Sequence, residues 1–144
     1  MKYLLLALLL CNCASKQRIK KTYDFKHVKL NRVIDGDTFK ADIKYVNGLL
    51  GKDISVRING IDTPEVRTKD QCEKVKGTAA KLYLESKLKN TKFYLENCGR
   101  GKFFRIICDV IANGENIGDL MVQKGYAYFY SGGTKPEIDY CKED

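Results

Sequence analysis

The chain has 144 residues, 26 Lys and Arg against 18 Asp and Glu, a formal charge of +8 and an apolar fraction of 44%. These values exclude a disordered chain, a multispan membrane protein and a Gly- or Pro-rich fibre, and they leave one basic domain long enough to bury a core. A positive surplus of this size favours polyanions such as nucleic acid or an anionic membrane surface.

The first element is a leader. Met1-Lys2 precedes nine apolar residues, Tyr3 to Cys11, which is the short hydrophobic region of an export signal and far below the ~20 residues a spanning helix needs. Residues 1–15 are therefore expected to be a signal peptide, 16–26 a basic linker and 27–144 the folded domain. Cys11 or Cys13 offers an alternative lipid anchor, so the expected destination is export, either secreted or as a membrane-anchored lipoprotein. Removing the leader takes away only Lys2 and leaves a charge of +7.

His27 to Ile34 alternates loosely as a strand, and Asp35-Gly36-Asp37 reads as a turn. Thr38 to Val46 alternates again, with Phe39, Ala41, Ile43 and Tyr45 on one face. Asn47-Gly48 is a strong signal for a tight hairpin. The expected return strand is Asp53 to Asn59, with Ile54, Val56 and Ile58 on one side and Arg57 on the other. A polar loop, Gly60 to Gln71, carries Pro64. Cys72 to Leu88 shifts to helical spacing through Val75, Ala79, Leu82 and Leu88. Gly77 weakens this helix by about 1 kcal/mol relative to Ala and blurs its start. Thr91 to Cys98 and Phe103 to Ala112 read as two further strands, and Ile117 to Lys124 as a short helix stopped by Gly125. Three meander strands, a helix and two more strands suit an α+β domain whose sheet curls into a five-stranded OB-fold barrel with two or three helices.

The single histidine, His27, leaves little scope for a His-ligated zinc site, a Ser/His/Asp triad or a Cys/His dyad. Chemistry falls to carboxylates, arginines, lysines or thiols. Cys72, Cys98, Cys108 and Cys141 lie outside the leader, with no CxxC spacing, and an even number in an exported domain suits disulfides with three pairings open. Cys72 with Cys141, which flank the compact part of the chain, is the pairing we expect.

Asp35-Gly36-Asp37-Thr38 and Arg57 with Asp62-Thr63-Pro64-Glu65 concentrate polar groups at strand ends. Each segment alone is ordinary turn chemistry. Together they bring three or four carboxylates to one end of a barrel, where mutual repulsion calls for a cation, and oxygen donors select Ca²⁺ or Mg²⁺. The planar fork of Arg57 can grip two phosphate oxygens beside that cation. Asp35 reads as a turn former rather than a ligand.

These residues resemble the staphylococcal nuclease, or thermonuclease, family of calcium-dependent nucleases on an OB-fold. The matching pieces are Val33-Ile34-Asp35-Gly36-Asp37-Thr38, Val56-Arg57-Ile58-Asn59-Gly60-Ile61-Asp62-Thr63-Pro64-Glu65, and Lys102 to Val110 with Arg105. The resemblance implies that Asp37, Asp62 and the Thr63 carbonyl hold Ca²⁺, that Glu65 is the general base, and that Arg57 and Arg105 hold the scissile phosphate. It implies hydrolysis of DNA and RNA with little sequence specificity, leaving 3′-phosphate ends, by a monomer without a protein partner. The alternative is a non-catalytic OB module that binds single-stranded nucleic acid. Phe103 and Phe104 stand where the best-known members carry a tyrosine and a glycine, which removes a hydroxyl and leaves rings able to stack. Aromatics and Lys over Tyr126 to Pro136 resemble the substrate-side loop and suit single-stranded or locally unpaired substrate; for Tyr128 and Tyr130 barrel packing is an equal account.

Overall fold

The structure is a computed structural model, and it describes residues 21–142. The expected leader, 1–15, lies outside the described residues. Strands β1 (Tyr23–Phe25), β2 (Val28–Asp35) and β3 (Thr38–Ile43) are followed by helix α1 (Gly48–Gly51), then by β4 (Ile54–Ile58) and β5 (Ile61–Asp62). Helix α2 (Gln71–Leu88), β6 (Phe93–Arg100), β7 (Ile106–Ala112), β8 (Glu115–Asn116), α3 (Ile117–Gln123) and β9 (Tyr128–Phe129) complete the chain.

The main sheet runs β1-β6-β7-β4-β3-β2, with β8 paired to β7. β2, β3 and β4 form the expected antiparallel meander. β4 and β7 pair parallel, Val56 opposite Ile106 and Ile58 opposite Cys108, which the long connection through α2 and β6 permits. β2 also touches β6, so the five longer strands curl toward a barrel of the OB type, an α+β arrangement with three helices among the described residues. Alternation places Phe39, Ala41, Val56, Ile58, Leu95, Cys108 and Val110 inside, where they meet Ala80, Leu84 and Leu88 of α2.

Four local readings change. Tyr23–Phe25, within the stretch read as linker, adds a strand to β6 through Tyr23 opposite Cys98 and Phe25 opposite Leu95. Asn47-Gly48 makes no two-residue hairpin: β3 stops at Ile43, and the Asn47 side chain instead accepts the Leu49 N–H at 3.0 Å and caps α1. The buried face of α2 is Gly77, Ala80, Leu84 and Leu88, while Val75, Ala79 and Leu82 are exposed. Gly77 faces inward because an added Cβ would lie 2.6 Å from the Pro64 carbonyl oxygen and 2.8 Å from the Glu65 backbone. Finally, β6 runs on to Arg100 and β7 begins only at Ile106, so Phe103 and Phe104 sit in the turn between them at φ 55° and 56°.

Cys72–Cys141 forms as expected, and Cys98–Cys108 is the second disulfide. The first ties the tail to the start of α2. The second joins β6 to β7 inside the barrel.

Candidate active site

The β2–β3 turn and the β4–β5 corner meet at one end of the barrel because Gly36 lets them. A Cβ there would stand 2.8 Å from both Thr63 Oγ1 and the Ala80 Cβ, so only glycine allows the Asp35–Asp37 turn to lie against Thr63 and α2. Register finishes the placement. Thr38 pairs with Arg57, and the Ile58 N–H donates to the Asp37 carbonyl at 2.9 Å, which sets Asp37 beside the Arg57 side chain.

Arg57 joins the two motifs. Its Nη1 lies 2.5 Å from Asp37 Oδ2, and its Nη2 lies 2.6 Å from Asp62 Oδ1. Both carboxylates are buried, Asp37 at 4% exposure and Asp62 at 1%. Asp62 Oδ2 accepts from Tyr128 OH at 2.5 Å and lies 2.8 Å from Lys135 Nζ. Tyr128 is aimed there because β9 pairs with β5 so that Tyr128 stands opposite Asp62. Lys135 also reaches Glu65 Oε1 at 3.1 Å. Glu65 itself is exposed, its N–H donating to Glu73 Oε1 at 3.2 Å. Asp35 accepts the Gly36 N–H at 3.0 Å, the turn role expected of it.

The two buried aspartates respond in opposite directions. Burial pushes the Asp37 carboxyl up to about 6, and the attraction of Arg57 only partly offsets it. Burial works against ionisation of Asp62 too, but hydrogen bonds from Lys135, Tyr128 and Arg57 outweigh it and hold this group below the usual carboxylate range. Lys135, despite its own partial burial, is held above the ordinary lysine range by Asp62 and Glu65. Asp35 is raised by burial, with the Glu65 charge adding to it. Carboxylate oxygens such as those of Asp37 and Asp62 are hard donors of the kind a divalent cation takes, and in this arrangement Arg57 and Lys135 hold them. Asp70, Cys72 and Cys141 also lie together, but both thiols are committed to the disulfide and Asp70 caps α2.

Arg105 stands apart from this network. The parallel register sets Ile107 beside Arg57, and Arg105, which ends the turn before β7, lies on the side of Ile107: a Cβ on Gly101 would stand 3.1 Å from Ile107 Cγ1 and 3.2 Å from Arg105 Cγ. It forms no ion pair among the described residues, and its Nε is the one buried side-chain nitrogen or oxygen among them without a hydrogen-bond partner. A buried guanidinium nitrogen with no acceptor is costly unless an anion completes it. The structure therefore joins Asp37, Arg57, Asp62 and, through Lys135, Glu65. It sets Thr63 against their turn and leaves Arg105 one strand over with unused capacity.

Comparison with known proteins gives the same frame. A family described as "Staphylococcal nuclease homologue" matches residues 55–143. The chain belongs to the staphylococcal nuclease homologues. The match starts beyond the Asp35–Asp37 turn, whose place beside Arg57 is set by the β3–β4 register. Two relatives in Bacillus subtilis (strain 168) are similar. The SPbeta prophage-derived endonuclease YokF is 30% identical over 123 residues, 81% of this chain and 39% of that protein. The endonuclease YncB is 30% identical over 115 residues, 76% of this chain and 52% of that protein. The homologue thus spans about two-fifths and about half of these two curated relatives.

Two members of the site were read in the sequence only as part of a substrate-side run, Tyr126 to Pro136, and not as partners of Asp62. Tyr128 belonged to an aromatic run whose individual contacts spacing alone does not separate. Lys135 is 70 residues from Glu65 and 73 from Asp62, and only the β5–β9 pairing and the Cys72–Cys141 bond return the tail to them.

Proposed function

We propose that the chain is a calcium-dependent nuclease that hydrolyses phosphodiester bonds of DNA and RNA with little base selectivity and leaves 3′-phosphate ends. The observation that carries this reading is Arg57 held between two buried aspartates, with the unpaired Arg105 guanidinium on the same side of the sheet. A module that only binds nucleic acid has no use for buried carboxylates where phosphates approach, since they repel the ligand.

In this reading Asp37, Asp62 and the Thr63 carbonyl hold the cation, which when bound supplies Lewis-acid polarisation of a phosphoryl oxygen. Arg57 and Arg105 donate to the phosphate oxygens that gain charge as the transition state forms, and their fixed positions make that stabilisation effective. Glu65 takes a proton from the attacking water. The water oxygen bonds to phosphorus, the bond to the 5′-oxygen breaks, and that oxygen leaves as a 5′-hydroxyl once protonated. Lys135 must release Glu65 for this, because a carboxylate paired with an ammonium is a weaker base.

Contacts to backbone phosphate carry no sequence information, which accounts for low base selectivity. Two disulfides suit an oxidising compartment, which supports export. The test is cleavage of a single-stranded oligonucleotide in Ca²⁺ with mass analysis of the ends. We expect 3′-phosphate and 5′-hydroxyl products, and none from Asp62→Asn. Products with 5′-phosphate ends would contradict the proposal.

A further inference from the structure

A cleft of about 610 Å³ opens where β1, α1 and the β6–β7 turn come together, and Tyr23, Leu49, Leu50, Ile54 and Phe104 line it. Two loops contribute adjacent pairs of large apolar residues here, Leu49-Leu50 on α1 and Phe103-Phe104 in the turn. Leu49 and Phe103 are each 89% exposed, Phe104 is 87% exposed, and Leu50 is 61% exposed. Both phenylalanines sit at positive φ, which bulky residues rarely adopt, so their exposure is built into the backbone. Apolar groups clustered this way mark an interaction surface.

Basic residues bracket both pairs. Lys44 and Lys52 stand on either side of α1, and Lys102 and Arg105 on either side of the phenylalanines. Val46 joins this cleft to a second one lined by Lys29, Lys44 and Lys52, and Lys29 and Lys44 continue into a third with Lys26 and Lys92. The one carboxylate among the described residues lining the three, Asp42, is already paired with Lys52 at 3.5 Å. Lys26, Lys29, Lys44, Lys92, Arg100 and Lys102 form no salt bridge among the described residues. A band of uncompensated positive charge therefore runs beside the exposed apolar pairs.

The partner must be anionic and must also take up aliphatic groups. Nucleic acid meets the first demand, but a leucine pair has no flat ring to stack on a base. A second copy would bring like charges together. An anionic bilayer meets both demands, since lysines engage its headgroups while apolar side chains reach the acyl boundary. Tyr23 and Tyr45, 51% and 89% exposed, carry the amphipathic rings that suit the headgroup level. No helix among the described residues is long and apolar enough to cross a membrane, so the contact is interfacial. Chain order agrees: Tyr23 follows Cys13, the expected alternative lipid anchor, by ten residues, a reach of at most about 36 Å. Asp37, Arg57, Asp62 and Glu65 line none of the three clefts, and Ile54 points to the face of β4 opposite Arg57. Arg105 alone borders both regions.

We propose that this face docks on an anionic phospholipid bilayer, with Leu49, Leu50, Phe103 and Phe104 entering the interface between flanking lysines and arginines. The inference uses no part of the nuclease reading.

The test is flotation of the full chain in EGTA with vesicles of equal parts phosphatidylcholine and phosphatidylglycerol, and with phosphatidylcholine alone. Wild type is compared with Leu49→Ser/Leu50→Ser and Lys44→Gln/Lys52→Gln; all carry the same leader, so its own affinity for lipid cancels. We expect wild type to bind the anionic vesicles at least about tenfold more tightly than the neutral ones, and each double variant to lose about tenfold. The chain has no tryptophan, so Leu49→Trp supplies a single reporter, whose emission should shift to the blue and be quenched by brominated lipid. Wild-type binding without preference for the anionic vesicles, double variants that bind as tightly as wild type, or a tryptophan that stays in water on the bound chain would each overturn the proposal. A wild-type dimer that Leu49→Ser/Leu50→Ser dissociates would assign the face to a second copy and overturn it too. So would oligonucleotide affinity that falls in both double variants while vesicle affinity holds, which would assign the face to nucleic acid. If thermal melts show one double variant unfolded, the other and Leu49→Trp still decide.

Discussion

Lys135 and Asp62 are joined across the mouth of the barrel, with the ammonium 2.8 Å from a carboxylate oxygen that also accepts the Tyr128 hydroxyl. This lysine places one positive charge on a carboxylate we assign to calcium, and its second contact is to the proposed base, Glu65. Any cation binding at Asp62 competes with it. Lys135→Met should therefore bind Ca²⁺ more tightly. The lysine is about half exposed, so we expect roughly 1 kcal/mol, a several-fold fall in Kd by calorimetric titration. Unchanged or weaker binding would mean that Lys135 does not oppose the ion.

The two arginines should separate by stability. Arg57→Ala removes the counter-charge of Asp37 and leaves Asp62 with Tyr128 and Lys135, and breaking a buried pair from one side costs about 3 kcal/mol or more. Arg105→Ala removes a guanidinium with no ion pair and an unsatisfied Nε, so thermal unfolding should change by less than about 1 kcal/mol. Both should lower kcat by two orders of magnitude or more, a figure typical of losing one donor to a developing oxyanion. Equal destabilisation by the two changes would show that Arg105 is a structural residue.

Gly77→Ala weighs two effects of opposite sign. Alanine improves helix propensity by about 1 kcal/mol, but its Cβ would meet the Pro64 carbonyl at 2.6 Å, a rigid backbone atom next to Glu65. Overpacking of this kind costs about 1 to 3 kcal/mol. We expect a lower Tm and, because Glu65 shifts with Pro64, reduced kcat. A raised Tm would show that α2 yields without strain.

Asp37 sets a pH dependence. Its carboxyl is raised to about 6 from an ordinary 3.8 by burial, with Arg57 partly offsetting the shift. The folded chain therefore binds this proton more tightly than the unfolded chain. The resulting stability is complete below pH about 4 and is lost as pH rises toward 6. In EGTA, melts of wild type and Asp37→Asn should differ by an amount that changes across that window and is flat above it. Asp62 shifts the other way, so its contribution is lost only as pH falls through the acidic side of the carboxylate range. Calcium needs ionised Asp37, so its apparent affinity should drop toward tenfold per pH unit below about 6.

Much of this was legible because local chemistry and global placement agree. Asp35-Gly36-Asp37 and Asp62-Thr63-Pro64 sit where alternating strands end, and alternation puts Arg57 opposite Val56 and Ile58, so both motifs could be referred to one end of a barrel. What escaped depended on distant partners. Tyr23–Phe25 is too short to read as a strand without β6 beside it. Val75 and Leu82 look like an inward stripe on α2, yet the helix turns Gly77 inward because only glycine fits against Pro64. Lys135 enters the site through strand pairing and a disulfide that no local pattern encodes.

The central claim is hydrolysis by two arginines and a cation held on Asp37 and Asp62. Its most direct measurement is the cleavage rate of end-labelled DNA as Ca²⁺ is titrated in and then withdrawn with EGTA, for wild type and Arg105→Ala. The account predicts saturable, reversible activation of wild type and a rate at least about a hundredfold lower in the variant at saturating calcium. Cleavage that persists in excess EGTA, or that survives Arg105→Ala undiminished, would contradict it.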